Sequence, residues 1–342
     1  MKKIVFLCVL WMACALAPMS VGAQALEKRK IVLAVGGKTL FYYLPLTIAE
    51  RKGYFKDEGL DVQIVDFAGG AKSLEAMMGG SADVVSGAYE HTINMQARGQ
   101  PIVAIVLQGR YNGIVLAVNK SKAAQVKSLK DLKGMKVGVT APGSSTNMMV
   151  SSLLVKNGLK PDDVSIIGVG ASAGAVAAMK KNSIDALSNL DPVMTKLETD
   201  GDVQVLVDTR TAKGMQEVYG GDYHAGCIYA PVAWVKKYPN TTQAIVNAMV
   251  RADLWLQKAR VDEIVATVPK EYYSADESLY KVALYKNQPG FSPDGLFSAK
   301  GAQNVYAVLK AFEPSVQKAK IDLAATYDNN FVQKALKKYK KD

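Results

Sequence analysis

The segment 140–147 (Thr-Ala-Pro-Gly-Ser-Ser-Thr-Asn) places hydroxyl groups and open backbone amides between an apolar run and a helical pattern. Such groups at the start of a helix bind an anion without a lysine, because the helix dipole and the free N–H groups both favour negative charge. Plain helix capping by a serine is the alternative, and it is compatible with ligand contact. We predict that four residues of this turn contact a ligand: Gly143, Ser144, Ser145 and Thr146.

Consecutive aromatic residues follow the first apolar run, in the loop 36–45. Three neighbouring rings cannot all face the core from one helix, so at least one should line a cleft, with packing beneath the helix as the alternative for each. Ligands of open α/β sheets bind where strands end and loops lead into helices. The candidates in this loop are Thr39, Phe41, Tyr42 and Tyr43.

Two further loops follow apolar runs in the same way. Loop 67–73 contains a glycine pair, which lets the backbone approach a ligand closely. In loop 86–91 we favour the tyrosine and expect the next two residues, Glu90 and His91, to begin a solvated helical turn. The ligand contacts predicted from these two loops are Gly70, Ala71 and Tyr89.

Polar residues later in the chain complete the predicted site. Asp191 precedes Pro192, where it would either accept a hydrogen bond from a ligand ammonium or cap the next helix. Arg110 would either pair with a ligand carboxylate or sulfonate or form a structural ion pair. The candidates in this group are Arg110, Ser172, Asn189, Asp191 and His224.

Motifs for catalysis and metal binding are sparse. The only histidines are His91 and His224, and no Cys or His pair has metal-ligand spacing. Neither a Gly-x-Ser-x-Gly motif nor a phosphate-loop motif occurs. We therefore predict no catalytic residue, no metal and no cofactor, and a binding protein rather than an enzyme.

Short apolar runs alternate with helical stretches, as expected for buried parallel strands joined by crossover helices. The predicted fold class is therefore α/β. Residues 61–65 align with residues 163–167, which indicates two lobes of the same plan, although any two βα units share some of this patterning. The predicted strands are 31–35, 62–65, 84–85, 102–107, 114–118, 137–139, 164–169 and 184–187.

Two chain crossings would connect the lobes. We expect the first at 109–113 and the return at 222–228, which makes a two-strand hinge about which the lobes close. The C-terminal region from about residue 241 has helical periodicity and should pack on the first lobe. The predicted division is 24–110 plus 228–342 for lobe 1 and 111–227 for lobe 2.

The N-terminus has the pattern of a secretory signal peptide over residues 1–23. Lys2 and Lys3 precede a short apolar run and a small-residue stretch, so we predict cleavage and a periplasmic location. Lipidation of Cys14 is the alternative processing. Cleavage leaves Cys227 as the single cysteine, so packing of the core must stabilise the protein without an internal disulfide.

The composition limits the size of the core and the kinds of molecule that the protein binds. The 342 residues are 49% hydrophobic, enough for a substantial core in one large or two medium domains. The formal net charge is +11, and C-terminal lysines carry part of the excess. A solvated helix end explains those lysines, and export argues against a nucleic-acid partner. We expect a monomer that binds a small molecule.

Several short motifs occur in a fixed order between about residues 30 and 240. Leu-Pro-Leu-Thr-Ile-Ala, Lys-Gly-Tyr-Phe and Glu-Gly-Leu-Asp-Val lie within 44–62, followed by Phe-Ala-Gly-Gly at 67–70 and Pro-Gly-Ser-Ser at 142–145. This order resembles periplasmic binding proteins of the taurine, sulfonate and nitrate ABC transporters. The resemblance implies the type 2 periplasmic binding fold and delivery of cargo to an ABC permease and its ATPase. It also implies that these loops and the Asp-Pro region line the cleft.

One departure from that family bears on the ligand. Sulfonate-type members commonly place an aromatic residue before the Asp-Pro, where this chain has Leu190. We favour an organic anion with an apolar or aromatic body, such as an aromatic carboxylate or a sulfonate. The alternatives are a binding protein for a pyrimidine or thiamine precursor and a ligand-sensing partner of a membrane receptor. The related thiamine-precursor synthases consume a histidine and carry a cysteine cluster, whereas Cys227 alone survives maturation.

Overall fold

The structure is a computed structural model that describes residues 25–273 and 276–340. The predicted signal peptide and Cys14 lie outside the described residues. The strands, in chain order, are β1 (Lys30–Val35), β2 (Asp61–Asp66), β3 (Val84–Ala88), β4 (Ile102–Leu107), β5 (Val115–Asn119), β6 (Lys136–Val139), β7 (Ser165–Gly168), β8 (Ala186–Asn189), β9 (Val203–Asp208) and β10 (Gly226–Pro231).

Helices connect and cover these strands. In chain order they are α1 (Leu44–Arg51), α2 (Tyr54–Asp57), α3 (Gly70–Met78), α4 (Glu90–Ala97), α5 (Ser145–Lys156), α6 (Ala173–Lys180), α7 (Val193–Thr199), α8 (Ala212–Tyr219), α9 (Val232–Lys237), α10 (Pro239–Leu256), α11 (Val261–Thr267), α12 (Glu277–Asn287), α13 (Ala299–Phe312), α14 (Pro314–Lys318) and α15 (Asn330–Tyr339). Short 3-10 turns, such as Phe41–Tyr43, link several of them. No helix among the described residues is both long and apolar enough to cross a membrane.

The strands form two sheets of five. The first has the order β2-β1-β3-β10-β4, and the second has the order β7-β6-β8-β5-β9. In each sheet three strands are parallel, and an antiparallel strand (β10 in the first, β5 in the second) pairs with the third of them. The repeated segments β2 and β7 occupy the same edge position of their sheets, in agreement with two lobes of one plan. The α/β class and the two-lobed architecture are confirmed.

Burial explains why these segments are strands. All six side chains of β4 and all five of β5 are buried, as expected for strands covered on both faces. The chain crosses between the sheets twice, through 108–114 and through 209–225. The predicted lobe limits at 110/111 and 227/228 stay a prediction, although β10 already begins at Gly226.

The C-terminal helices pack on both lobes. Helix α10 lies against α1, α2 and α15 of the first lobe, and its buried face includes Ile245, Ala248, Met249 and Ala252. Helix α13 also contacts α5, and α12 also contacts α7, both in the second lobe. The contacts of α12 and α13 with the second lobe come in addition to the expected packing on the first lobe.

Candidate functional site

The two lobes touch each other at the loops that follow their strands. The Ala71 N–H donates to Ser144 Oγ (2.9 Å), and the Phe41 N–H donates to the Asp191 carbonyl oxygen (3.1 Å). His91 Nε2 lies 3.4 Å from the carbonyl oxygen of Gly143. These contacts join the carboxyl ends of strands from both sheets, which is where ligands of open α/β sheets bind. The structure therefore shows the lobes closed on one another.

Glycines permit this close approach. A Cβ added at Gly69 would lie 2.9 Å from the Cβ of Ala141 in the other lobe. A Cβ added at Gly36 would lie 2.3 Å from the backbone of Gly69. No larger residue fits at either position without movement of neighbouring atoms, so Gly36 and Gly69 permit the close contact between these loops.

A buried polar group, which we call the junction cluster, lies where both lobes and both crossings meet. It consists of Tyr42, Glu90, Asn112, Tyr219 and Tyr223. The Glu90 side chain is fully buried, and its Oε1 accepts a hydrogen bond from the Tyr223 hydroxyl (3.2 Å). Asn112 Nδ2 donates to Tyr219 Oη (3.0 Å), and the rings of Tyr219 and Tyr223 stack with centroids 4.2 Å apart.

Three buried polar atoms of the junction cluster have no hydrogen-bond partner among the described residues. They are Tyr42 Oη, Glu90 Oε2 and Asn112 Oδ1. Tyr42 also lies beside Ser145 at the start of α5, so the cluster reaches the second lobe. Buried polar groups are paired in the great majority of native structures, and unpaired ones mark places for water or a ligand. The junction cluster is therefore the candidate ligand site.

Burial controls the electrostatics of this site. It raises the pKa of Glu90 to about 7, against the weaker opposing effect of the hydrogen bonds from Tyr223 and Asn112. Burial, and then the charge of Glu90, also raises the pKa of Tyr42 and Tyr223 well above the ordinary value. No lysine, arginine or histidine of the described residues contributes to the pKa of Glu90. The site thus holds a carboxyl group without a cationic partner.

The expectation that Glu90 and His91 begin a solvated turn is wrong. Both are buried, because the crossing segments and β10 cover the start of α4. His91 Nδ1 lies 2.9 Å from Tyr229 Oη, and burial lowers the pKa of His91 to about 4, so the ring is neutral. Glu90 lies two residues after the end of β3 and belongs to the junction cluster.

Tyr89 and His224 lie in an aromatic group away from the junction cluster. Their rings pack edge to face with centroids 4.8 Å apart, and Phe297 and Tyr327 complete the group. The Tyr89 hydroxyl bonds to Thr326, and His224 Nε2 accepts from the N–H of Ser298. Burial between the first lobe and the C-terminal helices explains why these residues do not reach the cleft.

Asp191 caps and anchors α7. Its carboxylate accepts from the Thr195 N–H (2.7 Å), from Arg210 Nη1 (3.1 Å) and from Asn287 Nδ2 (2.7 Å). Of the two roles expected for Asp191, the geometry matches the capping role. The sequence reasoning missed Arg210, which is only 3% exposed.

Other candidates of the sequence also have structural partners. Arg110 donates to the carbonyl oxygen of Pro289 and lies over the ring of Tyr111. The Thr146 hydroxyl accepts from the Thr140 N–H, and Asn189 Nδ2 donates to the Gly170 carbonyl. Thr39 and Ser172 line a separate apolar groove. Of the predicted residues, those that lie at the lobe contacts or in the junction cluster are Phe41, Tyr42, Gly70, Ala71, Gly143, Ser144, Ser145 and, through its carbonyl, Asp191.

Two spaces flank the lobe contacts. A small cavity of about 20 Å³ lies at the crossings and is lined by Tyr42, Asn112, Leu190 and Arg210 among others. A wider cleft of about 600 Å³ opens on the other side and is lined by Ala71, His91, Gly143 and other residues. Within the described chain, no group of three or more His, Cys, Asp or Glu side chains is arranged to hold a metal ion.

Solved structures of known proteins share the fold of this chain. A solved structure from Bordetella bronchiseptica RB50 is 55% identical, has a TM-score of 0.91, and the match covers 93% of this chain and 100% of that chain. The alkanesulfonate-binding protein SsuA from Xanthomonas axonopodis pv. citri, bound to MOPS, has a TM-score of 0.71 at 19% identity over 89% of this chain and 99% of that chain. The resemblance to sulfonate-type binding proteins and the type 2 periplasmic binding fold are confirmed.

Thiamine-precursor enzymes are also related. The 4-amino-5-hydroxymethyl-2-methylpyrimidine phosphate synthase THI11 of Saccharomyces cerevisiae is 29% identical over 143 residues, which is 41% of this chain and 41% of the synthase. The family described as NMT1/THI5 like matches residues 41–259. That match covers more than half of the 342 residues, and the chain belongs to the NMT1/THI5-like family.

Proposed function

We propose that this protein is the solute-binding component of an ABC-type uptake system, located in the periplasm. It closes two lobes over a small organic molecule and delivers that molecule to a membrane permease and its ATPase. The family membership and the likeness to an alkanesulfonate-binding protein support this role. The observation that carries the proposal is the junction cluster. Three of its buried polar atoms have no hydrogen-bond partner among the described residues, and they lie where both lobes meet.

A thermal-shift screen of the mature protein tests this function, because a ligand that binds only the folded state raises its melting temperature. The screen contains sulfonates, aromatic carboxylates, nitrate, pyrimidines and organic amines. We expect at least one class to raise the melting temperature. Tyr42→Phe, which removes an unpaired buried hydroxyl, should reduce that shift, whereas Tyr285→Phe at a 73% exposed position should not. No shift with any class would refute the proposal.

An organic anion with an aromatic or apolar body is one candidate solute. The start of α5, a helix of 12 residues, faces the site through Ser145, and a helix N-terminus favours negative charge. Ser145→Ala should then weaken the binding of benzoate or benzenesulfonate. If only neutral or cationic compounds bind, the anion assignment is wrong.

Two alternatives share the same closed state. A pyrimidine or thiamine precursor as solute is favoured by the likeness to the yeast synthase, and the pyrimidines of the screen test it. A ligand-sensing partner of a membrane receptor would bind its solute in the same way. Solute uptake is measured in vesicles that contain a permease and an ATPase encoded next to the gene of this protein. Uptake that depends on this protein indicates transport, and its absence indicates sensing. We propose no catalytic role, and we propose a monomer, which light scattering checks.

A further inference from the structure

The unpaired atoms of the junction cluster are mainly acceptors. Glu90 Oε2 and Asn112 Oδ1 accept hydrogen bonds, and Tyr42 Oη is able to accept as well. The amide group of Asn112 is occupied on its donor side, since Nδ2 donates to Tyr219 Oη (3.0 Å) and also interacts with the Glu90 carboxyl group. When Glu90 is ionised, Oε2 and Asn112 Oδ1 only accept, so a group that satisfies both must bring at least two N–H or O–H donors. An ammonium group carries three N–H donors and no acceptor.

Charges around the small cavity point to the same chemistry. Arg210 lines this cavity, but its nitrogens are taken by three carboxylates: Nη1 by Asp191 (3.1 Å) and Glu198 (2.8 Å), and Nη2 by Asp208 (2.6 Å). Lys286 adds a second cation at 3.2 Å from Glu198. The three carboxylates and the two cations together carry a net charge of −1. The carboxyl group of Glu90 in the junction cluster adds to this negative charge when it is ionised. The other arginine of the crossings, Arg110, donates to the Pro289 carbonyl oxygen (3.1 Å), lies over the ring of Tyr111 and does not line this cavity.

Size and ring chemistry are compatible with a cationic head group. The small cavity of about 20 Å³ has room for one water-sized group, which matches an ammonium. The stacked rings of Tyr219 and Tyr223 and the neighbouring rings of Tyr42 and Tyr43 (centroids 5.0 Å apart) offer aromatic surface beside the carboxyl group of Glu90. A cation close to tyrosine rings is attracted by their π-electrons, most strongly when it is desolvated.

We propose that the solute carries a protonated nitrogen, as an ammonium or amidinium group, and that Glu90 is its counter-ion in the junction cluster. This inference rests on the proposed solute-binding function and deepens it by naming the charge class of the solute. The carboxylate forms the ion pair, Asn112 and Tyr42 accept the remaining N–H groups, and closure of the lobes removes water from the pair. The body of the solute then extends from the cluster toward the start of α5.

Matched probe sets test the inference, because members of a set share shape and differ in charge. One set is benzamidine, benzamide and benzoate, a second is benzylammonium and benzyl alcohol, and a third is butylammonium, butanol and butanoate. Thermal shift and calorimetric titration at pH 8 are measured on the mature wild type and on Glu90→Gln. Glu75→Gln is the control, since that carboxylate lines the wider cleft but is 63% exposed. Circular dichroism verifies that each variant is folded.

We expect a cationic member to bind more tightly than its neutral and anionic partners, and Glu90→Gln to weaken it at least tenfold while Glu75→Gln changes it little. If benzoate or butanoate binds and the cations do not, the solute-binding function stands and this inference is refuted. Cation binding that survives Glu90→Gln also refutes it, because the counter-ion then lies elsewhere. If no member of any set binds, this inference is refuted, whereas the proposed function is refuted only if the wider thermal-shift screen also gives no shift.

Discussion

Replacement of Glu90 by glutamine tests the electrostatics of the junction cluster without any ligand. Burial raises the pKa of Glu90 from 4.5 to about 7. The folded state therefore holds this proton more tightly than the unfolded state does, and stability falls as the pH rises from about 4.5 through about 7. The gap between these values corresponds to about 3 kcal/mol of unfolding free energy. Glutamine keeps the shape and an acceptor for Tyr223 but does not ionise.

The assay is urea denaturation of wild type and Glu90→Gln between pH 5 and pH 8, followed by the fluorescence of Trp234 and Trp255. We expect the unfolding free energy of the variant, minus that of the wild type, to increase with pH by about 3 kcal/mol and to level off above pH 7. Other titrating groups are common to both proteins and cancel in this difference. A difference that stays constant over this pH range would refute the reasoning about burial.

Three further predictions concern other parts of the fold. Arg210→Ala leaves the buried Asp191 carboxylate without its cation and should lower the unfolding free energy, measured by urea denaturation, by about 3 to 5 kcal/mol. A decrease of less than about 1 kcal/mol would contradict this. Asp253 is fully buried, its carboxylate has no hydrogen-bond partner among the described residues, and burial raises its pKa well above the ordinary value. Asp253→Asn should therefore raise the unfolding free energy at pH 8 by about 1 kcal/mol or more and by less at pH 5, whereas the exposed Asp61→Asn should not. Ser144→Ala removes the acceptor of the Ala71 N–H and should destabilise the closed state by about 1 kcal/mol. The radius of gyration in X-ray scattering should then increase. An unchanged radius would show that this contact does not hold the lobes together.

Much of the fold follows from the sequence because buried strands have unbroken apolar runs. The predicted runs correspond to β1 through β8, with differences of up to three residues at their ends. Strand β9 was missed because its sequence, Val-Gln-Val-Leu-Val-Asp, is that of an edge strand with exposed positions. Strand β10 was taken as part of a crossing, because its place between β3 and β4 depends on pairing with residues more than 100 positions earlier.

The site was harder to predict than the fold. The rule that loops at strand ends bind ligands selected Tyr42, Gly70 and Ser144, which lie at the lobe contacts or in the junction cluster. It did not separate Tyr89 from Glu90, since a glutamate at a helix start is normally solvated and favoured there by the helix dipole. The crossing segments and β10 bury the start of α4, and their position there depends on long-range packing that the local sequence pattern does not contain.

The strand order of the first sheet affects the order in which the two sheets form. Strands β5 through β9 are contiguous between residues 115 and 208, so the sheet of the second lobe has all its pairing partners once that stretch has been synthesised. The first sheet instead lacks the strand between β3 and β4 until residue 231 has been added. Before then, β3 and β4 each have an unpaired edge, and such edges are sites for aggregation or chaperone capture. A circular permutant that starts near residue 226 would close this gap first and should refold with less aggregation.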